Sequence, residues 1–150
     1  MRLILFLLTI SLFILACLVP ALEFRHYCGD PTNYDIVTWE GLRALALGWM
    51  GLFVGIVGWV ANPFWLIGML AYLFNFRWTA RLLLFIALGL ALTSVMLFDR
   101  ILPADEANLC QMVLEMPQIG FYLWLAAMLF AFVVAVRPRK RRKGRAIETS

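Results

Sequence analysis

The sequence predicts an all-α fold, a polytopic membrane bundle of four transmembrane helices. Composition, the lengths of the apolar stretches and the placement of the cations lead to this prediction. Hydrophobic residues make up 64% of the 150 residues and charged residues 15%, which leaves too little polar surface to cover a soluble globule. Because a helical crossing needs about 20 apolar residues, the chain has room for about four or five crossings and for no separate soluble domain.

Four long apolar stretches are candidates for the crossings. They are Leu3–Leu22, Ala44–Phe76, Leu82–Phe98 and Ile119–Val136. The first one could also be a signal peptide, with a loose lipoprotein cleavage box at Ile14–Cys17. Since further apolar stretches follow it, we expect an uncleaved first membrane helix.

The stretch Ala44–Phe76 is too long for one straight crossing. As a continuous helix its roughly 33 residues would extend about 50 Å, against about 30 Å of hydrocarbon. Asn62 is a good helix N-cap, and Pro63 suits a first helical position while disfavouring helix before it. We therefore predict that the second transmembrane helix is broken near Asn62-Pro63, with Leu42–Ala61 tilted, interfacial or half-inserted.

The cations decide the number of crossings, because positive residues are retained in cytoplasmic loops. If Ala44–Phe76 makes one net crossing, then Arg77, Arg81 and the basic C-terminal tail all face the cytoplasm. If it made two crossings, an N-terminus inside would force the tail outside. Four crossings are therefore favoured, with both termini in the cytoplasm of a bacterial cell.

This topology defines the predicted domain organisation and places the protein in the bacterial inner membrane. Residues 1–136 form a single transmembrane bundle, residues 23–41 and 99–118 form a short periplasmic cap, and residues 137–150 form the basic cytoplasmic tail.

Each loop of the predicted cap contains one cysteine, Cys28 or Cys110. Both thiols would lie in an oxidising compartment, so we predict a disulfide between them. Cys17, in the first helix, is expected to pack as a small apolar side chain. His26 with scattered carboxylates offers too few ligands for a structural metal site, and oxidised cysteines are not ligands, so no metal and no cofactor are predicted.

Four glycines, Gly48, Gly51, Gly55 and Gly58, are spaced to lie along one side of a helix. Small residues at such spacing let another backbone approach closely in a membrane. We predict that this face packs against other helices of the same bundle, with a dimer interface as the alternative.

The basic tail is predicted to contact anionic lipids, since each cation near an anionic leaflet contributes about 1 kcal/mol. Its cations are Arg137, Arg139, Lys140, Arg141, Arg142, Lys143 and Arg145. RNA binding or docking of a cytoplasmic protein is the alternative. No aromatic residues alternate with the cations to stack on bases, so no nucleic-acid partner is predicted.

The predicted crossings contain no Asp, Glu, Lys, Arg or His, which disfavours proton relays and active transport. Neither a serine–histidine pair nor an aspartate pair is present at membrane depth, and the glycines lack the lysine of a phosphate-binding loop. The sequence therefore predicts a protein that is not an enzyme.

Three segments carry a resemblance to a known group of proteins. They are Gly48-Trp49-Met50-Gly51, Trp59-Val60-Ala61-Asn62-Pro63 and Gly120-Phe121-Tyr122-Leu123-Trp124-Leu125. At these positions the chain resembles a loose group of small four-pass bacterial inner-membrane proteins. The resemblance implies a four-helix fold but neither a reaction nor functional residues.

Three functions remain open. The first is an accessory subunit or scaffold that binds another membrane or envelope protein, or a second copy of itself. The second is an immunity-type protein that neutralises a pore-forming or envelope-targeting toxin. The third, a passive carrier of lipids or small molecules, would need a polar lining that the predicted helices hardly offer.

Overall fold

In the structure, a computed structural model that describes residues 2–104 and 109–137, five α-helices accompany one antiparallel sheet. The helices are α1 (Arg2–Leu18), α2 (Gly41–Leu47), α3 (Ala61–Leu73), α4 (Arg77–Leu92) and α5 (Ile119–Val136). The strands are β1 (Pro20–Cys28), β2 (Tyr34–Glu40), β3 (Ile101–Pro103) and β4 (Cys110–Pro117). Short 3₁₀ helices cover Gly48–Val54, Gly58–Val60 and Thr93–Asp99.

The predicted all-α bundle of four transmembrane helices is wrong, because the fold is mixed α/β with a four-stranded sheet. Within the described residues, two helices are long and apolar enough to cross a membrane, Arg77–Val95 and Ile119–Val136. The other apolar helices, Leu3–Leu18, Gly41–Val54 and Gly58–Leu73, are shorter. Apolar length alone does not distinguish a helix from a strand, and Pro20–Leu22, at the end of the first predicted crossing, belongs to β1.

The sheet forms from the two stretches that were predicted as cap loops, and its strand order is β2-β1-β4-β3. Side chains alternate between its faces along β1, as a period of two requires. Phe24 is 1% exposed on the inner face, whereas Arg25 forms an ion pair with Glu115 on the outer face. Tyr27, next on the outer face, donates a hydrogen bond of 2.8 Å to Gln111. The sheet therefore has an apolar inner face and a polar outer face.

A tight turn joins β1 to β2. Gly29 adopts a left-handed conformation with φ of 79°, which glycine tolerates without steric strain. The Asp30 carboxylate accepts hydrogen bonds from the backbone N–H and the hydroxyl of Thr32, and these bonds hold the pKa of Asp30 below its usual value. The stabilisation that this turn provides is therefore present at neutral pH and is lost as pH falls through the lowered pKa.

The helices pack through small residues and turn large apolar side chains outward. Six alanines of α3, α4 and α5 are at most 1% exposed: Ala61, Ala80, Ala87, Ala91, Ala127 and Ala131. On the outside of α4, Trp78 is 83% and Leu82 60% exposed, and Leu129 of α5 is 51% exposed. Alanine allows neighbouring helix axes to approach closely, as in membrane helix packing.

The predicted glycine face does not form, because residues 48–60 are not one helix. Gly55 has φ of 80° and ends the first 3₁₀ segment, so the chain turns before Gly58. Gly48 lies against the Trp59 ring, where an added Cβ would be 2.6 Å from a ring carbon, while Gly51 lies against Ile56. The glycines therefore serve separate close contacts and a turn.

The helix break lies upstream of the predicted position. The chain leaves the helical conformation at residues 55–57, and α3 begins at Ala61. Asn62 and Pro63 are in the first turn of α3, where the missing N–H of proline removes no intrahelical hydrogen bond.

Gly120 provides a test of the contact between α1 and α5. A Cβ at this position would be 2.8 Å from the Pro20 carbonyl oxygen and 3.0 Å from those of Ala16 and Val19. These are backbone atoms that cannot rotate away, so we expect Gly120→Ala to lower the stability by about 1–3 kcal/mol. Thermal unfolding in detergent would measure the change.

The matched control is Gly89→Ala in α4, where nothing lies within 4 Å of the added methyl group. Alanine is favoured over glycine in a helix by about 0.5–1 kcal/mol, so this variant should be unchanged or more stable. Equal melting temperatures for the two variants would contradict the close contact at Gly120.

Candidate functional site: an apolar cavity beside the sheet

A cavity of about 640 Å³ lies where the inner face of the sheet meets α1, α2, the 3₁₀ segments and the start of α5. This volume is within the range of roughly 300–1,000 Å³ that is typical of small-molecule sites. The walls are mainly apolar, and their side chains come from several secondary-structure elements. Among the apolar lining residues are Phe13, Leu22, Phe24, Val37, Leu47, Phe53, Leu97, Leu102, Met112 and Phe121. The site is therefore built by residues from both ends of the chain.

A few polar groups interrupt this apolar lining. They are the side chains of His26, Arg43, Asn62 and Ser94, together with the indole N–H groups of the lining tryptophans. Among the described residues that line the cavity, none is an aspartate or a glutamate. A site with a cation and no carboxylate favours a ligand with an anionic or hydrogen-bond-accepting group.

Trp39 and Arg43 form the most distinctive polar part of the cavity. The Arg43 guanidinium carbon lies 4.9 Å from the centroid of the Trp39 ring, which is a cation–π distance. The Trp39 Nε1 is buried, and it has no hydrogen-bond partner among the described residues. Among the described residues, the only ion pair joins Arg25 to Glu115. Arg43 therefore has no carboxylate partner among these residues. The lining of the cavity thus includes one cation, and one of its residues carries a buried N–H donor without a partner.

Another part of the lining is held by a hydrogen-bond network around Asn62. Its Oδ1 accepts a bond of 2.8 Å from Trp124 Nε1, and its Nδ2 donates a bond of 2.9 Å to the Trp59 carbonyl oxygen. Trp59 Nε1 in turn donates to the Leu45 carbonyl at 2.7 Å. These bonds connect α2, α3 and α5, so Asn62 fixes the shape of the cavity and its amide is already partnered.

The predicted disulfide between Cys28 and Cys110 is confirmed. The two residues face each other in register on β1 and β4, with Cα atoms 4.1 Å apart. Cys17 is half-buried near the end of α1 and lines the cavity. His26, which the sequence analysis set aside, lies one position further along the same face as the disulfide.

Other predicted site residues are distributed differently. Gly48, Gly51 and Gly58 line the cavity instead of a helix interface. Arg137 follows the end of α5, and the remaining predicted lipid-contacting cations, Arg139, Lys140, Arg141, Arg142, Lys143 and Arg145, lie outside the described residues.

Sequence reasoning missed Trp39, Arg43 and His26 as members of one site. Trp39 falls in the predicted cap loop 23–41, although the alternation of Val37, Thr38, Trp39 and Glu40 indicates a strand in which Trp39 faces inward. No local signal connects these residues to Trp124, because the strand pairing brings them together.

No family model, no curated protein and no solved structure matches this chain. We therefore infer the function of the protein from the geometry of the cavity and from the distribution of apolar and charged residues.

Proposed function

We propose that this protein is a membrane protein that binds a lipid with one acyl chain and an anionic headgroup. The observation that carries the proposal is the 640 Å³ apolar cavity, whose described lining contains Arg43 but no carboxylate. The acyl chain would occupy the apolar part of the cavity. The headgroup would accept hydrogen bonds from Arg43 and from the buried Trp39 Nε1.

The exposed surface of the helices supports a membrane location. Large apolar side chains cover the outside of α1, α4 and α5, including Leu7, Leu8, Leu82, Phe85 and Leu129, each at least half exposed. A soluble monomer rarely exposes a continuous apolar surface of this extent, whereas lipid tails solvate it without penalty. We infer that α4 and α5 cross the membrane as a hairpin.

Charge placement supports one orientation of this hairpin. Arg77 and Arg81 lie at the start of α4, and Arg81 Nε donates a hydrogen bond of 3.1 Å to the Ala135 carbonyl near the end of α5. Arg137 follows at the same end, whereas the sheet and its carboxylates lie at the other end of the hairpin. The positive-inside rule therefore favours a cytoplasmic location for the arginines and an outer location for the sheet.

Binding of tritiated palmitate to the full-length protein in non-ionic detergent, measured by scintillation proximity, tests the proposed function. We expect saturable binding that Arg43→Glu weakens at least about tenfold, because a hydrogen bond to a charged group contributes about 1.5–3 kcal/mol. Trp39→Phe keeps an aromatic ring at this position but removes the indole N–H, so a loss of about two- to tenfold is expected.

Two matched controls separate the cavity from non-specific binding to apolar surface. Ala44→Phe places a ring in the cavity and should abolish saturable binding, whereas Ala46→Phe, on the exposed side of the same helix, should not. Arg100→Glu removes an exposed cation that does not line the cavity and should leave the affinity unchanged. Equal binding by the Ala44 and Ala46 variants would refute the proposal.

The cavity favours the function of a lipid carrier over the other two functions considered from the sequence. A polar lining within the helices was expected to be necessary, but the sheet supplies it instead through His26 and Trp39. The roles of accessory subunit and of immunity-type protein stay predictions.

A further inference from the structure

The Cys28–Cys110 disulfide has soft metal-binding side chains beside it on the inner face of the sheet. One ligand atom each of His26, Cys28 and Cys110 lies within 4.8 Å of the others. Met112 is the cross-strand partner of His26, and both side chains line the cavity. These two cross-strand pairs lie on the same face of the sheet, separated by the Tyr27–Gln111 pair, and they carry two cysteine sulfurs, one thioether and one imidazole.

We propose that reduction of this disulfide creates a binding site for one Cu(I) ion, with Cys28, Cys110, His26 and Met112 as the four ligands. Thiolate and imidazole ligands bind both zinc and copper, whereas a thioether is a soft ligand that suits Cu(I) and is not among the usual zinc ligands, so Met112 favours Cu(I) over zinc. The proposal goes beyond lipid binding and does not depend on it.

The disulfide is the switch, because its oxidised sulfurs are poor ligands and thiolates are good ones. A dithiol reductant attacks one sulfur, forms a mixed disulfide and leaves as its own disulfide, so two electrons and two protons pass to Cys28 and Cys110. Cu(I) then displaces the two thiol protons into solvent, and its oxidation state does not change. Cys28 is exposed, which gives a reductant access to the bond.

The backbone holds the four ligands in place before the metal binds. β1 and β4 pair from Leu22 to Cys28 against Cys110 to Pro117, so the two cross-strand pairs have fixed spacing and direction. Asp35 of β2 is the other cross-strand neighbour of His26, and a carboxylate in that position can orient an imidazole ligand. Reduction breaks one covalent bond but leaves this pairing as the scaffold.

Titration with Cu(I) buffered by the chromogenic chelator bicinchoninate tests the proposal. The full-length protein in detergent is reduced with dithiothreitol and desalted without oxygen, and the disulfide form is the parallel sample. We expect one Cu(I) per reduced chain and no competition by the disulfide form. His26→Ala and Met112→Leu should each weaken binding by about tenfold or more, since even outer-shell changes cost 10–100-fold.

Met116→Leu is the matched control, because Met116 lies on the same strand but pairs with Glu23, away from the cluster. It should bind Cu(I) as the wild type does. Full affinity in both the His26 and the Met112 variants, equal binding by the disulfide form, or two chains per metal would each overturn the proposal.

A second measurement covers the case in which reduction loosens the sheet. Because the ligands come from two strands, Cu(I) should restore hydrogen-exchange protection to the paired backbone amides of β1 and β4 in the reduced chain. Absence of any added protection at saturating Cu(I) would overturn the site.

Discussion

The double variant Cys28→Ala/Cys110→Ala is expected to be less stable than the wild type by up to about 4–5 kcal/mol. The disulfide spans a sequence separation of 82, and a chain-entropy treatment of a loop of this length gives about that value. This is an upper value, because helices held in a membrane, as proposed above, would already restrict the unfolded chain. Thermal unfolding under oxidising conditions, monitored by circular dichroism, would measure the change.

The loss of stability in the double cysteine variant should be concentrated at the end of the sheet where β1 and β4 begin to separate. Cys28 and Cys110 are the last register pair, so their loss exposes the neighbouring pairs to fraying while the paired residues near Leu22 remain joined. Cys17→Ala removes the remaining thiol outside the bond and serves as the control. A double variant as stable as the Cys17 variant would show that the bond does not hold the sheet together.

Replacing Leu129 with arginine is expected to reduce the amount of protein in membranes severely. Leu129 is 51% exposed near the middle of α5, so its side chain would face lipid in the proposed location. A cation at the centre of a membrane helix costs about 2.5–3.5 kcal/mol on insertion scales. The quantity to measure is the protein that remains in carbonate-washed membranes at equal expression.

Ile119→Arg is the control for the same change at the end of the same helix. Ile119 is 61% exposed at the first residue of α5, where a long arginine side chain can reach the aqueous interface. We therefore expect membrane levels close to those of the wild type. If the Leu129 variant were equally abundant and equally stable, α5 would not face lipid.

The sheet could have been predicted in part from local pattern. Leu22, Phe24 and His26 alternate with Glu23, Arg25 and Tyr27, a period of two that is typical of a half-buried strand. The stretch from Met112 to Met116 does not alternate in this way, because Val113 is apolar, so no comparable local pattern indicates β4. The pairing of β1 with β4 was not accessible, since nothing local fixes the register between strands so far apart in the chain.

For the helices, in contrast to the sheet, the sequence predicted that the elements exist but not where one of them ends. Apolar length predicted α5 with the observed bounds, and α1 and α4 with bounds that differ by up to six residues. It did not divide residues 44–76, and Asn62-Pro63 placed the break too far downstream. What ends the helix there is Gly55 in a left-handed conformation, and a glycine inside an apolar run is equally compatible with a continuous membrane helix. The glycine spacing alone could not distinguish the two.

The sequence by itself determined the apolar character of the chain, the segregation of cations towards the ends of α4 and α5, and the pairing of Cys28 with Cys110. These follow from composition and from the few residues that can fill each role. Only the tertiary structure decided that a sheet forms, and that it brings Trp39 and Arg43 to a cavity with Trp124, and His26 to the disulfide. The reason is physical: these neighbours depend on strand register and helix packing between distant segments, which are set by the whole chain folding together.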